Sequence, residues 1–143
     1  MDKVYIVYWT QTGNTQAMAE AIGRGVTAAG KEAAVLHVSE ASIDDLKAAN
    51  GFALGCPAMG AEVLEEIDME PFVSDVEAFA SGKNIALFGS YGWGDGLWMR
   101  DWVDRMNAAG AKVLNGEGLI CQGAPDEDAL AACESLGKQL AAL

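Results

Sequence analysis

Basic residues are scarce in this chain of 143 residues. It has 9 Lys and Arg against 21 Asp and Glu, a formal net charge of −12. A surface of that sign argues against binding nucleic acid or anionic membrane through bulk charge and favours partners with a basic docking face. Cysteine is scarce too. Cys56, Cys121 and Cys133 are odd in number and widely spaced, with no CxxC pair. That argues against a disulfide framework or a zinc site, and points to reduced thiols in the cytoplasm. His37 is the only histidine, so no Ser/His/Asp or Cys/His constellation can be assembled near the loops described below. No apolar run approaches the ~20 residues that a membrane-crossing helix needs. The run Val4–Trp9 is not followed by a small-residue cleavage site, so no signal peptide is expected. With 51% hydrophobic and 21% charged residues, the chain is neither disordered, coiled coil nor collagen-like. Its length suits one domain over residues 1–143, and no linker, repeat or low-complexity tract divides it.

What is present is an alternation of short β-like runs with longer amphipathic stretches. Val4–Trp9, Ala33–Val38, Gly51–Cys56 and Asn84–Gly89 read as strands, the first apolar enough to be buried on both faces. Ala111–Leu114 and Gly118–Cys121 read as a fifth strand broken at Asn115-Gly116. Helices are expected over Asn14–Ala29, from Ser42 to Lys47, and over Pro71–Ala80, Asp95–Ala108 and Asp126–Leu143. Strands alternating with helices imply a doubly wound α/β fold with a parallel sheet. Such sheets bind ligands outside the carboxyl ends of their strands.

Three loops leave those ends with unusual chemistry. Thr10-Gln11-Thr12-Gly13-Asn14-Thr15 lies between a buried strand and a helix start. Its hydroxyls, its amide and the free N–H groups of the helix suit a phosphate held by neutral donors. An ordinary polar loop with Thr12 or Asn14 as the N-cap is the other reading. The dinucleotide fingerprint GxGxxG is absent after this strand, and Gly25–Lys31 only approximates a P-loop, with Glu32 where Ser or Thr is needed. Ser90-Tyr91-Gly92-Trp93-Gly94-Asp95-Gly96 sets one Trp among three glycines, where a flat ligand can approach the backbone and stack on Trp93. Pro57-Ala58-Met59-Gly60-Ala61-Glu62 is a turn with a thioether at its tip. The acids that follow, Glu65, Glu66, Asp68 and Glu70, read mostly as a solvated face. A receiver domain is excluded, because Tyr8-Trp9-Thr10 and Cys56-Pro57 stand where its acidic residues belong.

In this order and at these strand ends, the three loops resemble those of flavodoxin, in its short-chain, anaerobe type. The resemblance covers essentially the whole chain. It implies a flavodoxin-like three-layer sandwich with a five-stranded parallel sheet in the order 2-1-3-4-5. It implies non-covalent FMN and low-potential one-electron transfer between semiquinone and hydroquinone, without enzyme activity. Carried over by position, Thr10, Gln11, Thr12, Gly13, Asn14 and Thr15 hold the phosphate, and Met59 and Trp93 sandwich the isoalloxazine. Gly60 is the residue whose carbonyl turns toward flavin N5, and Glu62 accepts from flavin N3. Pro57, Ala58, Ala61, Ser90, Tyr91, Gly92, Gly94 and Gln122 complete the cofactor-binding set, with backbone near Gly92 and Gln122-Gly123 at the ring edge. The implied partners are ferredoxin-using oxidoreductases, hydrogenases and flavin reductases with basic docking faces, met by a monomer.

One charge ~8 Å from the ring, at an effective dielectric of ~40, disfavours a further electron by about 1 kcal/mol. That is roughly 40 mV on a one-electron couple. Ala61 departs from the Gly, Asp or Asn of many relatives. If the flipped turn needs a positive φ there, Ala disfavours it by about 1 kcal/mol relative to Gly. The alternative function is a small FMN-dependent quinone or NAD(P)H reductase on the same fold. That would need a substrate pocket above the flavin, which so short a chain has no insertion to build.

Overall fold

A computed structural model describes residues 3–143. Five strand positions form one parallel sheet in the order β2-β1-β3-β4-β5. The strands are β1 (Lys3–Tyr8), β2 (Glu32–His37), β3 (Gly51–Gly55), β4 (Asn84–Tyr91), β5 (Lys112–Val113) and β6 (Leu119–Gln122). β5 and β6 both pair with β4, at its start and its end, so together they fill the fifth position. The break predicted at Asn115-Gly116 is present, and Asn115 sits there at φ 64°. The expected order holds, with one position divided between two short strands.

Alternation along each strand distributes the core. Val4 and Ile6 of β1 and Phe88 of β4 face α1 (Asn14–Ala28) and α5 (Glu127–Ala141). Val7, Phe52, Leu54, Ile85 and Leu87 face the other layer, made of α2 (Ile43–Ala48), α3 (Met69–Glu77) and α4 (Leu97–Ala108). α1 and α5 approach closely because Gly25 and Gly137 face the opposing backbone. A Cβ on Gly25 would run into the Glu134 carbonyl, and one on Gly137 into the Ile22 carbonyl. Burying Met18, Ile22 and Leu136 between them is worth roughly 2 kcal/mol per side chain.

Boundaries shift where long-range contacts act. α3 starts at Met69, two residues before the expected Pro71, and ends at Glu77 instead of Ala80. The Glu65 carboxylate accepts from Ile67 N, Asp68 N and Met69 N at 2.8, 2.7 and 2.9 Å, which sets that earlier start. β4 runs two residues past Gly89, to Tyr91, because β6 pairs alongside it. Ser90 and Tyr91 are therefore strand residues. α4 begins at Leu97, after Gly96 turns the chain at φ 93°. Asp126 caps α5 by accepting from Ala129 N at 2.8 Å.

Candidate functional site

The carboxyl ends of β1, β3 and β4 lie side by side, and backbone bonds staple the loops that leave them. Trp9 N donates to Gly55 O (3.0 Å), Cys56 N to Phe88 O (3.1 Å) and Ala58 N to Ser90 O (3.1 Å). Below these loops the Trp98 indole donates to Cys56 O at 3.0 Å and its ring packs against Tyr91. Pro57 and Cys56 are buried. Burial pushes the Cys56 thiol up to about 12 and keeps it unreactive.

The N-cap of α1 is Gly13, at φ 93°, and neither Thr12 nor Asn14 takes that role. Thr10 Oγ1 instead accepts from Gly13 N at 3.0 Å, which closes the loop one residue earlier. The first helical bond is Ala17 N to Gly13 O at 3.0 Å. The amides of Asn14, Thr15 and Gln16 precede it and have no side-chain cap. Their positive end of the helix dipole suits an anion. Gln11 and Thr12 are exposed beside it, and Asn14 is half-buried. Thr15 is different. It is 1% exposed, and its hydroxyl lies 3.3 Å from Ser90 Oγ and accepts from Ser90 N at 3.4 Å. Thr15 and Ser90 thus tie the first loop to the third from underneath.

Met59 and Val63 form a one-bridge hairpin, with Met59 N donating to Val63 O at 2.9 Å. Gly60 and Ala61 occupy its exposed tip. Glu62 N donates to Met59 O at 2.8 Å and to Gly60 O at 2.6 Å, so the Gly60 carbonyl is held back against the turn. Among the described non-glycine residues only Glu62 (φ 53°) and Asn115 have a positive φ, so Ala61 keeps an ordinary backbone. The Glu62 carboxylate lies against Gly94, where a Cβ would sit 2.5 Å from Oε1. That oxygen is buried and has no hydrogen-bond partner among the described residues. Trp93 is 64% exposed on the adjoining loop, and Met59 is half-buried. Gln122 donates from Nε2 to Gly92 O at 3.3 Å, and Gly123 N donates to Tyr91 O at 2.8 Å. β6 thereby steadies the glycine-rich loop.

The residues fit FMN. An uncapped helix end suits its phosphate, half-buried Met59 and exposed Trp93 suit the two faces of a ring, and the orphaned Glu62 oxygen suits an N–H donor. Gly60 and Gly92 leave open space where a side chain would stand.

Two residues depart from the sequence reading. Glu65 belongs to no solvated face. It is 7% exposed, and although burial alone would raise its carboxyl, three backbone donors hold it below the usual range. Only its spacing before a helix could have signalled this. Glu70, also placed on that face, pairs with Arg105 of α4 at 2.6 Å.

The flavodoxin family model matches residues 6–136. A flavodoxin of Clostridium beijerinckii is 50% identical over 95% of this chain and 97% of its own. A flavodoxin of Megasphaera elsdenii is 42% identical over 96% and 98%. The solution structure of the two-electron-reduced Megasphaera flavodoxin superposes with a TM-score of 0.86 at 41% identity, covering 98% of this chain and 99% of that one. On these matches and on the sheet order that carries the three loops, the chain belongs to the flavodoxin family, whose members are electron carriers that bind FMN.

Proposed function

We propose that the three carboxyl-edge loops hold FMN with the roles that the resemblance implies, and that the whole chain is one cofactor-binding domain. Bound FMN supplies the one-electron chemistry. The N-terminal amides of α1, with Thr10, Thr12 and Asn14, take the phosphate through neutral donors. Met59 and Trp93 cover the ring faces and exclude water from them. Glu62 accepts the proton-bearing N3 edge, and the backbone at Gly92 and Gln122 borders the ring. The observation that carries this reading is the buried, unpartnered Glu62 oxygen, an acceptor in want of a donor beside Trp93 and Met59.

The working couple is the lower of the two one-electron steps. Net charge and the apolar cover of Trp93 both disfavour the more reduced, anionic ring. Ferredoxin-using oxidoreductases, hydrogenases and flavin reductases with basic docking faces are the partners this charge suits. Three unpaired thiols suit the cytoplasm. No helix among the described residues is long and apolar enough to cross a membrane. Titrating the apoprotein into FMN tests the reading. Flavin fluorescence should be quenched at a 1:1 endpoint, and Glu62→Ala should weaken binding roughly tenfold. Unquenched fluorescence, or wild-type affinity in Glu62→Ala, contradicts it.

A further inference from the structure

β3 and β4 pair in register as far as Gly55 and Phe88, and the ladder then opens. Cys56 N still donates to Phe88 O at 3.1 Å, and Ala58 N donates to Ser90 O at 3.1 Å. A regular parallel ladder places one more bond between these two, from Ser90 N to Cys56 O. Among the described residues that bond is not made. Ser90 N donates instead to Thr15 Oγ1 of α1, at 3.4 Å. Cys56 O accepts instead from the Trp98 indole of α4, at 3.0 Å. Both groups are buried, so each needs a partner, and two helices supply them.

The opening falls where the two ring-facing loops begin. Cys56 is the stem of the turn that carries Met59, and Ser90 leads into the loop that carries Trp93. A Cβ on Gly89 would lie 2.2 Å from Cys56 O and 3.2 Å from Trp98 Cζ2, so the glycine leaves room for the indole. Tyr91 packs on the same indole, with ring centroids 5.5 Å apart. One side chain thus touches the stems of both loops. Trp102 shows what a plain core indole looks like here. It lies one turn further along α4 in the same apolar cluster, 1% exposed where Trp98 is 2% exposed. Its Nε1 has no partner among the described residues. The bond to a loop stem is what sets Trp98 apart.

We propose that Trp98 is a positioning residue for the flavin. By taking the Cys56 carbonyl, its indole N–H keeps the β3–β4 ladder open where the loops part, and so sets the gap between Met59 and Trp93. Loss of the N–H frees Cys56 O. The ladder's own donor, Ser90 N, has only a long bond to give up and closes on that carbonyl. The gap then narrows and the ring seats less deeply. The proposal rests on the reading of Met59 and Trp93 as the ring walls. It makes a residue of α4, outside the three loops, part of what sets flavin affinity.

The test is a pair of measurements on the full chain. In the flavin-free, ¹³C,¹⁵N-labelled protein, a scalar coupling across the hydrogen bond should link the Trp98 indole nitrogen to the Cys56 carbonyl. Its absence would overturn the proposal, and that measurement needs no variant to fold. In Trp98→Phe the coupling to the same carbonyl should run from Ser90 N. None there would mean that the ladder stays open without the indole, and would also overturn it. Flavin affinity is then measured for wild type, Trp98→Phe and the matched core variant Trp102→Phe. Trp98→Phe should weaken FMN and riboflavin alike, about fivefold, and Trp102→Phe less than twofold. The lower one-electron potential should rise in Trp98→Phe, as water reaches the ring, and stay at the wild-type value in Trp102→Phe. Equal effects in the two variants would show that Trp98 acts by packing alone and would overturn the proposal. A wild type that leaves flavin fluorescence unquenched would overturn the reading of the loops, and the assignment of Trp98 to a flavin site with it, whatever the couplings show.

Discussion

The two ends of the site are built from different materials. At the α1 end the donors are backbone amides, held by Gly13 and by the Thr10 hydroxyl, and tied down by Thr15 to Ser90. At the other end the surfaces are side chains on short turns, half-buried Met59 and exposed Trp93, with Gly60 and Ala61 at an open tip. A backbone cradle on a helix end is rigid and neutral, and it recognises charge. Side-chain walls on turns can adjust, and they govern how a ring is hydrated. On the proposed reading, anchoring and redox tuning are therefore separable, the first belonging to β1 and α1 and the second to the loops after β3 and β4.

Substitutions can break that division. The largest effect is expected from Trp93→Ala, which strips one ring face. Losing that apolar and stacking contact should cost about 2–3 kcal/mol of FMN affinity. It should also raise the lower one-electron potential as water reaches the ring. Fluorescence titration and potentiometry read both, and an unchanged potential would erase the distinction. Glu65→Ala removes the clamp under the hairpin side and should destabilise the fold by about 2–3 kcal/mol in chemical denaturation. The Glu65 carboxyl is held below its ordinary value of 4.5, so its stabilising effect is complete above that pH. It fades as pH falls through the lowered native value. The gap in stability between wild type and Glu65→Ala should narrow only below pH 4.5, and a gap that narrows on going alkaline would contradict the assignment.

Thr12→Ala and Asn14→Ala are expected to act on the other end. Each should weaken FMN by about 1 kcal/mol and leave riboflavin, which lacks the phosphate, nearly unaffected. Equal losses for both ligands would merge the two ends. The smallest effect belongs to Ala61. Its φ is not positive, and Glu62 N holds the Gly60 carbonyl back. A type II arrangement of the same four residues needs a positive φ at Ala61, which disfavours it by about 1 kcal/mol relative to Gly. Ala61→Gly should raise the upper one-electron potential by tens of millivolts, roughly 40 mV per kcal/mol. A potential that stays still or falls would mean that the turn does not limit that step.

The residue types of both ends were legible in the sequence because they are local. Hydroxyls and glycine between a buried strand and a helix, or one Trp among three glycines, can be seen without a fold. The alternation of strands and helices was legible for the same reason, down to the break at Asn115-Gly116. The joints were not. Thr15 to Ser90, Glu62 against Gly94, and Trp98 to the Cys56 carbonyl connect residues that only the sheet order brings together. Glu65 was misread because its three bonds run to backbone, which leaves no mark on composition. β4 was cut short because Ser90 and Tyr91 become strand only where β6 pairs with them.

Single-electron chemistry at this rim is the central claim. The direct test is stepwise reduction of the FMN-loaded protein, followed in the visible spectrum and by potential. Two resolved one-electron steps are expected, with the lower potential well below that of free FMN. A single two-electron bleaching at the potential of free FMN would contradict it.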